Sequence, residues 1–348
     1  MGNREKTWLM RFAQVLLLCA IVIFAAACGG TDAPSAETIS PADAENAATE
    51  TNQEETGETE EKEPELRTAE VFDLEKHKGK LTVRYFYMEG KEKTGDSILI
   101  VTPDDKTMLI DAGLKEGGQQ VVKYLKNMGI DRLDVILNTH PHIDHLGGFP
   151  TIIQNFEIGE AYMINHPYPS SNSYNNFISA MKRKKITPVY LEEGDSFQLG
   201  EHIHIDVLNP AKGELPDAIQ SYEARAINQF SMVFKLTYED TSFLFTGDIY
   251  VERERELVKK YGDLLKADMV HAPHHGSNTS SSSEFVQAVS AKVAVMSTNK
   301  FESMKNMNRY EAYGASVYSQ QLHGNILIIS DGKELEVVTE KDWENPLK

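Results

Sequence analysis

The stretch THPHIDHLGG, residues 139–148, places three histidines and an aspartate within six positions. The whole chain has 11 histidines in 348 residues, so this segment is unusually rich in them. It directly follows DVILN (134–138), an apolar run typical of a buried strand. Alternate side chains of an extended segment point the same way, so His140 and His142 can bind one cation together.

Asp144 and His145 follow at once and point toward a neighbouring position, before Gly147 and Gly148 let the backbone turn tightly. Neutral imidazoles combined with carboxylates are typical ligands of zinc and similar first-row ions. Two neighbouring ligand pairs suit two cations about 3.5–4 Å apart. The competing interpretation is a solvated loop that happens to contain histidines. We expect two divalent metal ions, zinc or alternatively manganese.

Beyond residue 66 the chain alternates strand-like and helix-like segments. Short β-branched and aromatic runs such as LTVRYFYM (81–88) and SILIVT (97–102) are separated by Gly and Asp turns. The segment QQVVKYLKNMG (119–129) has the spacing of an amphipathic helix. Hairpins mixed with single helices favour an α+β fold in which two sheets pack face to face. No second linker interrupts residues 67–348, which we interpret as one domain.

The motif H-x-H-x-D-H after a buried strand, followed later by TGD and HHG, resembles the metallo-β-lactamase superfamily. The resemblance covers about residues 80–340. It implies a four-layer αββα sandwich with a metal site at one edge, between the sheets. Within the superfamily the sequence is most similar to the hydrolase domain of ComEC-type competence proteins and their stand-alone relatives. The matching pieces are TGDSILI (94–100), LIDAG (109–113), NQFSMVFKLTY (228–238), FLFTGD (243–248) and HAPHHGS (271–277).

By this resemblance Asp248 is the carboxylate that bridges both metals. One histidine of the HHG motif should complete the shell of the first metal, and we favour His275, with His274 as a substrate contact. Relatives often carry a ligand of the second metal in the loop after the strand at 291–298. Here that loop, NKFESMKNMNRYEAYG (299–314), has no histidine, so we assign His323 as the ligand; an ordinary turn histidine is the alternative.

Lactamases proper use another histidine between the first cluster and the bridging aspartate. The closer relatives have the pattern N-x-x-S instead, which Asn228 and Ser231 match. We therefore expect Asn228 and Ser231 to face the substrate, and we place His166 at the substrate mouth. The two histidines of HIHIDVL (202–208) follow the alternation of an ordinary strand.

Residues 1–28 have the features of an export signal. Three basic residues precede the apolar run Phe12–Ala27, which ends in small residues before Cys28. Cys28 followed by two glycines resembles the bacterial lipoprotein signal, in which the cysteine is acylated, although Ala25 stands where leucine is usual. An uncleaved membrane anchor is the alternative. Both interpretations place the chain at the lipid bilayer, on the extracytoplasmic face of a bacterial cell membrane.

Residues 29–66 hold 12 acidic residues, one lysine and no aromatic residue, which is typical of a disordered acidic tether. Residues 67–348 contribute −9 to the net charge of −18. An acidic domain is a poor generic binder of nucleic acid, because phosphate affinity depends on Lys and Arg. The only cysteines are Cys19 and Cys28, so the domain has no disulfide partner.

A pair of such cations indicates hydrolysis by activated water. Asp144 and Asp248 would be both ligands and catalytic groups that help to relay a proton. The first hypothesis is cleavage of a phosphodiester or phosphate ester in a small molecule or envelope component, with nucleic acid disfavoured by the charge. The second is a β-lactamase or lactonase. The third is a non-catalytic surface protein that binds a ligand or partner.

Overall fold

Two β-sheets pack face to face and carry helices on their outer surfaces. The computed structural model describes residues 67–302 and 304–343. The expected export signal and tether therefore lie outside the described residues. Within the described part of the chain, no helix combines the length and apolarity needed to cross a membrane.

The strands are short and, in the first sheet, mostly buried on both faces. In chain order they are β1 Leu81–Tyr85, β2 Ile98–Val101, β3 Thr107–Ile110, β4 Arg132–Asn138, β5 Glu157–Met163, β6 Pro188–Tyr190, β7 Ser196–Leu199, β8 Ile203–Asn209, β9 Val233–Tyr238, β10 Thr241–Phe245, β11 Met269–His271, β12 Val293–Met296, β13 Ser316–Ser319, β14 Ile326–Ser330 and β15 Leu335–Thr339. The first sheet has the order β15-β14-β1-β2-β3-β4-β5-β6, and the second has the order β13-β12-β11-β10-β9-β8-β7.

The helices connect and cover these strands. They are α1 Gly117–Asn127, α2 Ile143–Leu146, α3 Phe149–Asn155, α4 Asn172–Lys184, α5 Ala224–Asn228, α6 Val251–Tyr261, α7 Ser283–Val289, α8 Met304–Ala312 and α9 Gln320–His323, with 3₁₀ turns at Glu75–His77, Gly262–Leu265 and Pro273–Gly276 and a helical segment at 67–72.

The central core lies between the two sheets. Strand β8 shows how the sequence creates it, because Ile203, Ile205 and Val207 are buried whereas His204 faces outward and contacts Gln198 at 2.9 Å. The alternation expected for HIHIDVL is therefore confirmed. Each large aliphatic side chain buried in this way contributes about 1.5–3 kcal/mol. Two further cores form where helices cover the outer face of each sheet.

The segment 299–314 differs from expectation. It was predicted as a loop, but most of it forms helix α8. Met307 and Tyr310, three positions apart on one helical face, are buried in the core that covers the second sheet. That spacing was the available signal, and tertiary burial outweighs the low apolar content of the segment.

The strand directions explain where the histidine-rich loops meet. Strands β3 and β4 run parallel in the first sheet, and β10, β11 and β12 run parallel in the second. Parallel neighbours end at the same edge of a sheet. The loops that follow β3, β4, β10 and β11 carry Asp111, residues 139–145, Asp248 and residues 272–276, and their contacts show that they converge.

A candidate metal centre between the sheets

The loop after β4 presents its histidines from buried positions. His142 has an extended backbone (φ −77°, ψ 150°) and precedes α2, which starts at Ile143. The ring centroids of His140 and His142 are 4.8 Å apart, and those of His140 and His145 are 4.1 Å apart. His140 Nε2 and His142 Nδ1 face each other at 3.1 Å. These two rings are therefore placed to share one cation, as the sequence predicted.

Asp248 lies at the centre of the cluster. Its Oδ2 is 3.8 Å from His140 Nε2, 3.3 Å from His145 Nε2 and 3.4 Å from His275 Nε2. The preceding Gly247 has φ +49°, and a Cβ there would lie 2.8 Å from the Cβ of Ser231. Glycine is thus required for the turn that brings Asp248 to this point.

Two groups of candidate ligands share Asp248. The first group consists of His140, His142 and Asp248; the second contains His145, Asp248 and His275, together with Asp96. Asp144 adjoins the second group, because its Oδ2 is 3.6 Å from His275 Nε2. The arrangement therefore offers two adjacent cation positions with one carboxylate in common.

Several polar atoms at this point require a partner that the described residues do not supply. His145 Nε2, His275 Nε2 and Asp248 Oδ1 are buried and have no hydrogen-bond partner in the described part of the chain. Each such atom costs about 1–3 kcal/mol when it remains unpaired. Imidazole nitrogens and carboxylate oxygens are ligands of first-row divalent ions, so the residues fit a pair of such cations.

A second layer of residues orients these ligands. Asp111 Oδ2 accepts a hydrogen bond from the Thr139 hydroxyl at 2.7 Å and lies 2.8 Å from His145 Nδ1. Asp111 Oδ1 accepts from the backbone N–H of Thr139 and from Asn138 Nδ2, both at 2.9 Å. The Thr139 hydroxyl also lies 3.0 Å from His140 Nδ1. Such contacts to the outer ring nitrogen fix the tautomer and the orientation of a ligating histidine.

The two groups differ in protonation. Burial lowers the pKa of His142 to about 4 and that of His140 well below its ordinary value. Burial acts in the same direction on His145 and His275, but the carboxylate of Asp248, with Asp111 beside His145, outweighs it and raises both pKa values well above normal. In the metal-free protein the imidazoles of His140 and His142 are therefore neutral near pH 7, whereas those of His145 and His275 hold protons that a cation must displace.

The carboxylates in the cluster remain ionised. Burial opposes the charge of Asp248, but the neighbouring imidazoles of His275 and His145 keep its pKa well below the ordinary value. Burial likewise opposes ionisation of Asp144, and His145 and His275 again lower its pKa. The centre therefore combines fixed negative charge with imidazoles, which suits divalent cations.

The structure distinguishes the two histidines of the HHG motif. Both have left-handed backbone conformations, with φ +52° at His274 and +58° at His275. His275 is buried among the candidate ligands of the second group, which agrees with its choice over His274 as the ligand, but it lies with His145 and not with His140 and His142 as expected. His274 is 20% exposed, stacks on Tyr250 at 5.0 Å and has its Nδ1 2.6 Å from the Thr279 hydroxyl. It lies at the mouth of the site, and its role as a substrate contact stays a prediction.

His323 belongs to neither group. Its Nδ1 accepts a hydrogen bond from the backbone N–H of Ser319 at 3.0 Å. Its ring packs edge-on against Tyr318 at 5.3 Å and Trp343 at 5.8 Å. The assignment of His323 as a ligand is therefore corrected, because its ring packs at the C-terminal end of α9. The second cation position is surrounded instead by carboxylates and imidazoles from other loops.

The predicted substrate-facing residues have different positions. Ser231 is fully buried and its Oγ accepts a hydrogen bond from the Asp248 backbone N–H at 3.2 Å, so it positions Asp248 and does not face substrate. Asn228 is buried at the end of α5, and its Oδ1 has no hydrogen-bond partner among the described residues. His166 is buried with its ring 5.3 Å from Phe230, and burial, with a smaller contribution from His142, lowers its pKa to about 4.

Sequence reasoning missed Asp96, whose Oδ1 lies 2.9 Å from His275 Nδ1, and Asp111, whose Oδ2 lies 2.8 Å from His145 Nδ1. Both lie in segments that carry the family resemblance, where an aspartate beside a buried strand was the available signal.

Sequence reasoning also missed the residues at the rim of the site. The Tyr222 ring is 5.7 Å from that of His142 and 69% exposed, Ile143 is 53% exposed, and Arg225 lies 5.3 Å from the Tyr250 ring.

Comparisons with known proteins identify a family and several relatives to which this chain is similar. A family model described as the metallo-beta-lactamase superfamily matches residues 90–298. ComE operon protein 3 of Bacillus subtilis (strain 168) is 25% identical over 223 residues, which are 59% of this chain and 27% of that protein. Competence protein ComA of Neisseria gonorrhoeae is 27% identical over 236 residues, 66% of this chain and 30% of that protein.

Other matches are more distant. An endoribonuclease of Kluyveromyces lactis is 26% identical over 87 residues, 24% of this chain and 11% of that protein. Among solved structures, the Rm3 metallo-beta-lactamase matches with 16% identity and a TM-score of 0.39, covering 57% of this chain and 77% of that one. The chain spans less than a third of the length of these curated relatives.

Proposed function

The chain belongs to the metallo-beta-lactamase superfamily, and from this premise we propose that it hydrolyses phosphodiester or phosphate-ester bonds with the help of two divalent cations. The observation that carries the proposal is the position of Asp248 between two groups of imidazoles. A pair of cations that share one carboxylate suits in-line displacement at phosphorus, since both the attacking and the leaving oxygen can be stabilised.

The ligand sets follow from the two groups. His140, His142 and Asp248 would hold the first cation, and Asp144, His145, Asp248 and His275 the second. Bound zinc or manganese would supply Lewis acidity, which lowers the pKa of water and stabilises the negative charge that develops on the substrate.

Three residues of the chain would have separate roles in the reaction. Asp248 is buried and serves as a fixed anchor, whereas Asp144 is 25% exposed and can accept a hydrogen bond from the attacking water. His274 has its Nε2 3.8 Å from Asp248 Oδ2 and its Nδ1 held by Thr279. It can therefore donate to the leaving-group oxygen from a fixed orientation.

The residues at the rim of the site favour a phosphate-ester substrate that carries a bulky group beside the phosphate. Tyr222 and Ile143 expose apolar surface next to the ligands, and Arg225, which is ion-paired with Glu252, lies over the Tyr250 ring. A matching relative is named an endoribonuclease, which supports phosphodiester chemistry. The net charge of −9 over residues 67–348 argues for a small-molecule or envelope substrate over long nucleic acid.

The proposed location is the extracytoplasmic face of a bacterial membrane, with acylated Cys28 inserted in the lipid bilayer. The support is the sequence of residues 1–28, namely basic residues, an apolar run and a cysteine followed by two glycines. The acidic segment 29–66 would hold the hydrolase domain away from the surface.

Elemental analysis of the purified full chain, together with turnover of bis-p-nitrophenyl phosphate, tests the function. We expect two first-row metals per chain and turnover that a chelator abolishes. Parallel assays with nitrocefin and a lactone test the second hypothesis. A chain that binds no metal and cleaves none of these substrates would support the non-catalytic binding role instead.

A further inference from the structure

We propose that Asp96 is a positioning residue for the second cation: it holds His275 in the ligating orientation, and His271 packs against it. This inference rests on the proposed metal-dependent function and concerns the second group alone. The three residues come from the loop before β2, the end of β11 and the turn after it.

Asp96 contacts the nitrogen of His275 that faces away from the cluster. Asp96 Oδ1 lies 2.9 Å from His275 Nδ1, across 179 positions of sequence. The opposite nitrogen, Nε2, lies 3.4 Å from Asp248 Oδ2 and 3.6 Å from Asp144 Oδ2. An N–H at Nδ1 that donates to Asp96 leaves the Nε2 lone pair free for a cation, so this contact selects the ligating tautomer.

Distance alone would also allow Asp96 to be a ligand, since it is a member of the second group. Its oxygens are committed elsewhere, however. Oδ1 meets His275 Nδ1, and Oδ2 lies 3.0 Å from His271 Nε2 and 4.0 Å from His145 Nδ1. The contacts with His275 and His145 are made by Nδ1, whereas Nε2 of each ring faces Asp248, which places Asp96 behind these two ligands.

His271 is fixed in the core between the sheets. Its ring lies nearly parallel to that of Tyr85, with centroids 5.8 Å apart and an interplanar angle of 6°. The ring is buried, and its contact with Asp96 is an ion-pair distance from Nε2. His271 therefore lies directly against the Asp96 carboxylate and limits its rotation by contact, while its Nε2 makes no hydrogen bond among the described residues.

The backbone conformation beside Asp96 also helps to place its carboxylate next to His275. Gly95 has φ +73°, and a Cβ there would lie 1.7 Å from the carbonyl oxygen of Asp144. The Asp96 carbonyl accepts a hydrogen bond from the Gly113 N–H at 2.7 Å. Only glycine permits this approach, so the loop carrying Asp96 packs directly on the loop carrying Asp144.

Loss of the carboxylate should therefore weaken one cation selectively. Without Asp96, the nearest remaining partner for His275 Nδ1 is the Ser297 hydroxyl at 3.4 Å. Removing an outer partner of a ligating histidine typically weakens metal binding about 10–100-fold. A general structural role would instead weaken both cations or lower the stability of the metal-free protein.

The experiment is a zinc titration of the full chain in competition with a chromophoric chelator. We expect wild type to bind two ions and Asp96→Ala to bind one ion normally and the other at least about 10-fold more weakly. Asp96→Asn, which keeps an oxygen for the Nδ1 proton, should recover part of the affinity. His271→Phe, which keeps a ring on Tyr85 but removes its nitrogens, should show a smaller loss. Asp134→Asn, at a half-buried carboxylate on β4, is the matched control.

The ion that remains in Asp96→Ala identifies the site. Adding His142→Ala should abolish its binding, whereas adding His145→Ala should not. Two ions bound at wild-type affinity in Asp96→Ala would overturn the inference, as would equal weakening of both. If Asp96→Ala does not fold by circular dichroism, the Asp96→Asn and His271→Phe titrations decide. A wild-type chain that binds no zinc would instead remove the proposed function on which the inference rests.

Discussion

The carboxylate of Asp111 lies 2.8 Å from Nδ1 of His145, although 34 positions separate the two residues. Asp111 also has a left-handed backbone, with φ +54°. Both residues are fully buried, and the contact joins the loop after β3 to the loop after β4. One carboxylate thus determines both the conformation of the ligand loop and the orientation of a ligand.

Asp111→Ala should lower the stability of the metal-free protein by about 3–5 kcal/mol. The change leaves Asn138 Nδ2, the backbone N–H of Thr139 and His145 Nδ1 without their partner, and each buried unpaired donor costs about 1–3 kcal/mol. Urea unfolding measures the difference. Asp206→Ala, at an exposed carboxylate paired with His204, should change stability by less than about 0.5 kcal/mol.

Asp248→Ala should remove catalysis and weaken both cations, because the two ligand groups share this residue. We expect turnover to fall at least about 10³-fold, as for the loss of a group that acts in the transition state. Elemental analysis and bis-p-nitrophenyl phosphate turnover measure both effects. His323→Ala is the informative comparison, since it should keep its metal content; loss of one ion there would restore His323 as a ligand.

Tyr222→Ala should change substrate preference while leaving metal content unchanged. The exposed ring beside His142 offers a face for the group attached to phosphate, and such contacts contribute about 1–3 kcal/mol. We expect kcat/KM for aryl diesters to fall about 5–100-fold and that for a small alkyl ester to change little. Tyr222→Phe should keep the preference. Equal losses on both substrates would argue against a contact with this group.

His166 should make the metal-free protein sensitive to acid. Its pKa is about 4 in the folded state, because burial lowers it, and about 6.5 when unfolded. As the pH falls, this histidine therefore takes up a proton in the unfolded chain before it does so in the folded protein. Its contribution to the free energy of unfolding is fully present above pH 6.5 and is lost between about pH 6.5 and 4. A shift of this size corresponds to a loss on the order of 3 kcal/mol.

Urea unfolding of chelator-treated protein at pH 7.5 and 4.5 measures this loss. His166→Asn should reduce the difference in stability between the two pH values. His204→Asn, at an outward-facing histidine of β8, should leave the difference unchanged. A variant at His166 with the full wild-type pH dependence would contradict the expectation.

Cys28→Ala should release the protein from the membrane if acylation at this residue anchors it. In a bacterial expression host, wild type should be found in the membrane pellet and should incorporate labelled palmitate. The variant should lose the label. A variant that stays in the pellet without label would favour the alternative, an uncleaved anchor formed by Phe12–Ala27.

The sequence by itself determined the local chemistry of this protein. The apolar run before residue 139 and the alternation of His140 and His142 predicted a strand followed by a ligand loop, and the structure has both. The family motifs also predicted that Asp248 and His275 would join them. These predictions rest on periodicity and on the identity of neighbouring residues, both of which can be read directly from the sequence.

Only the tertiary structure decided which distant side chains share a site. The left-handed backbone at His274 and His275 sends one ring into the second group and the other to the mouth, and no spacing rule distinguishes them. Asp96 reaches His275 across 179 positions, whereas His323 packs against Trp343 instead. These outcomes depend on the register and packing of two sheets, because contacts between distant segments are set by the whole core.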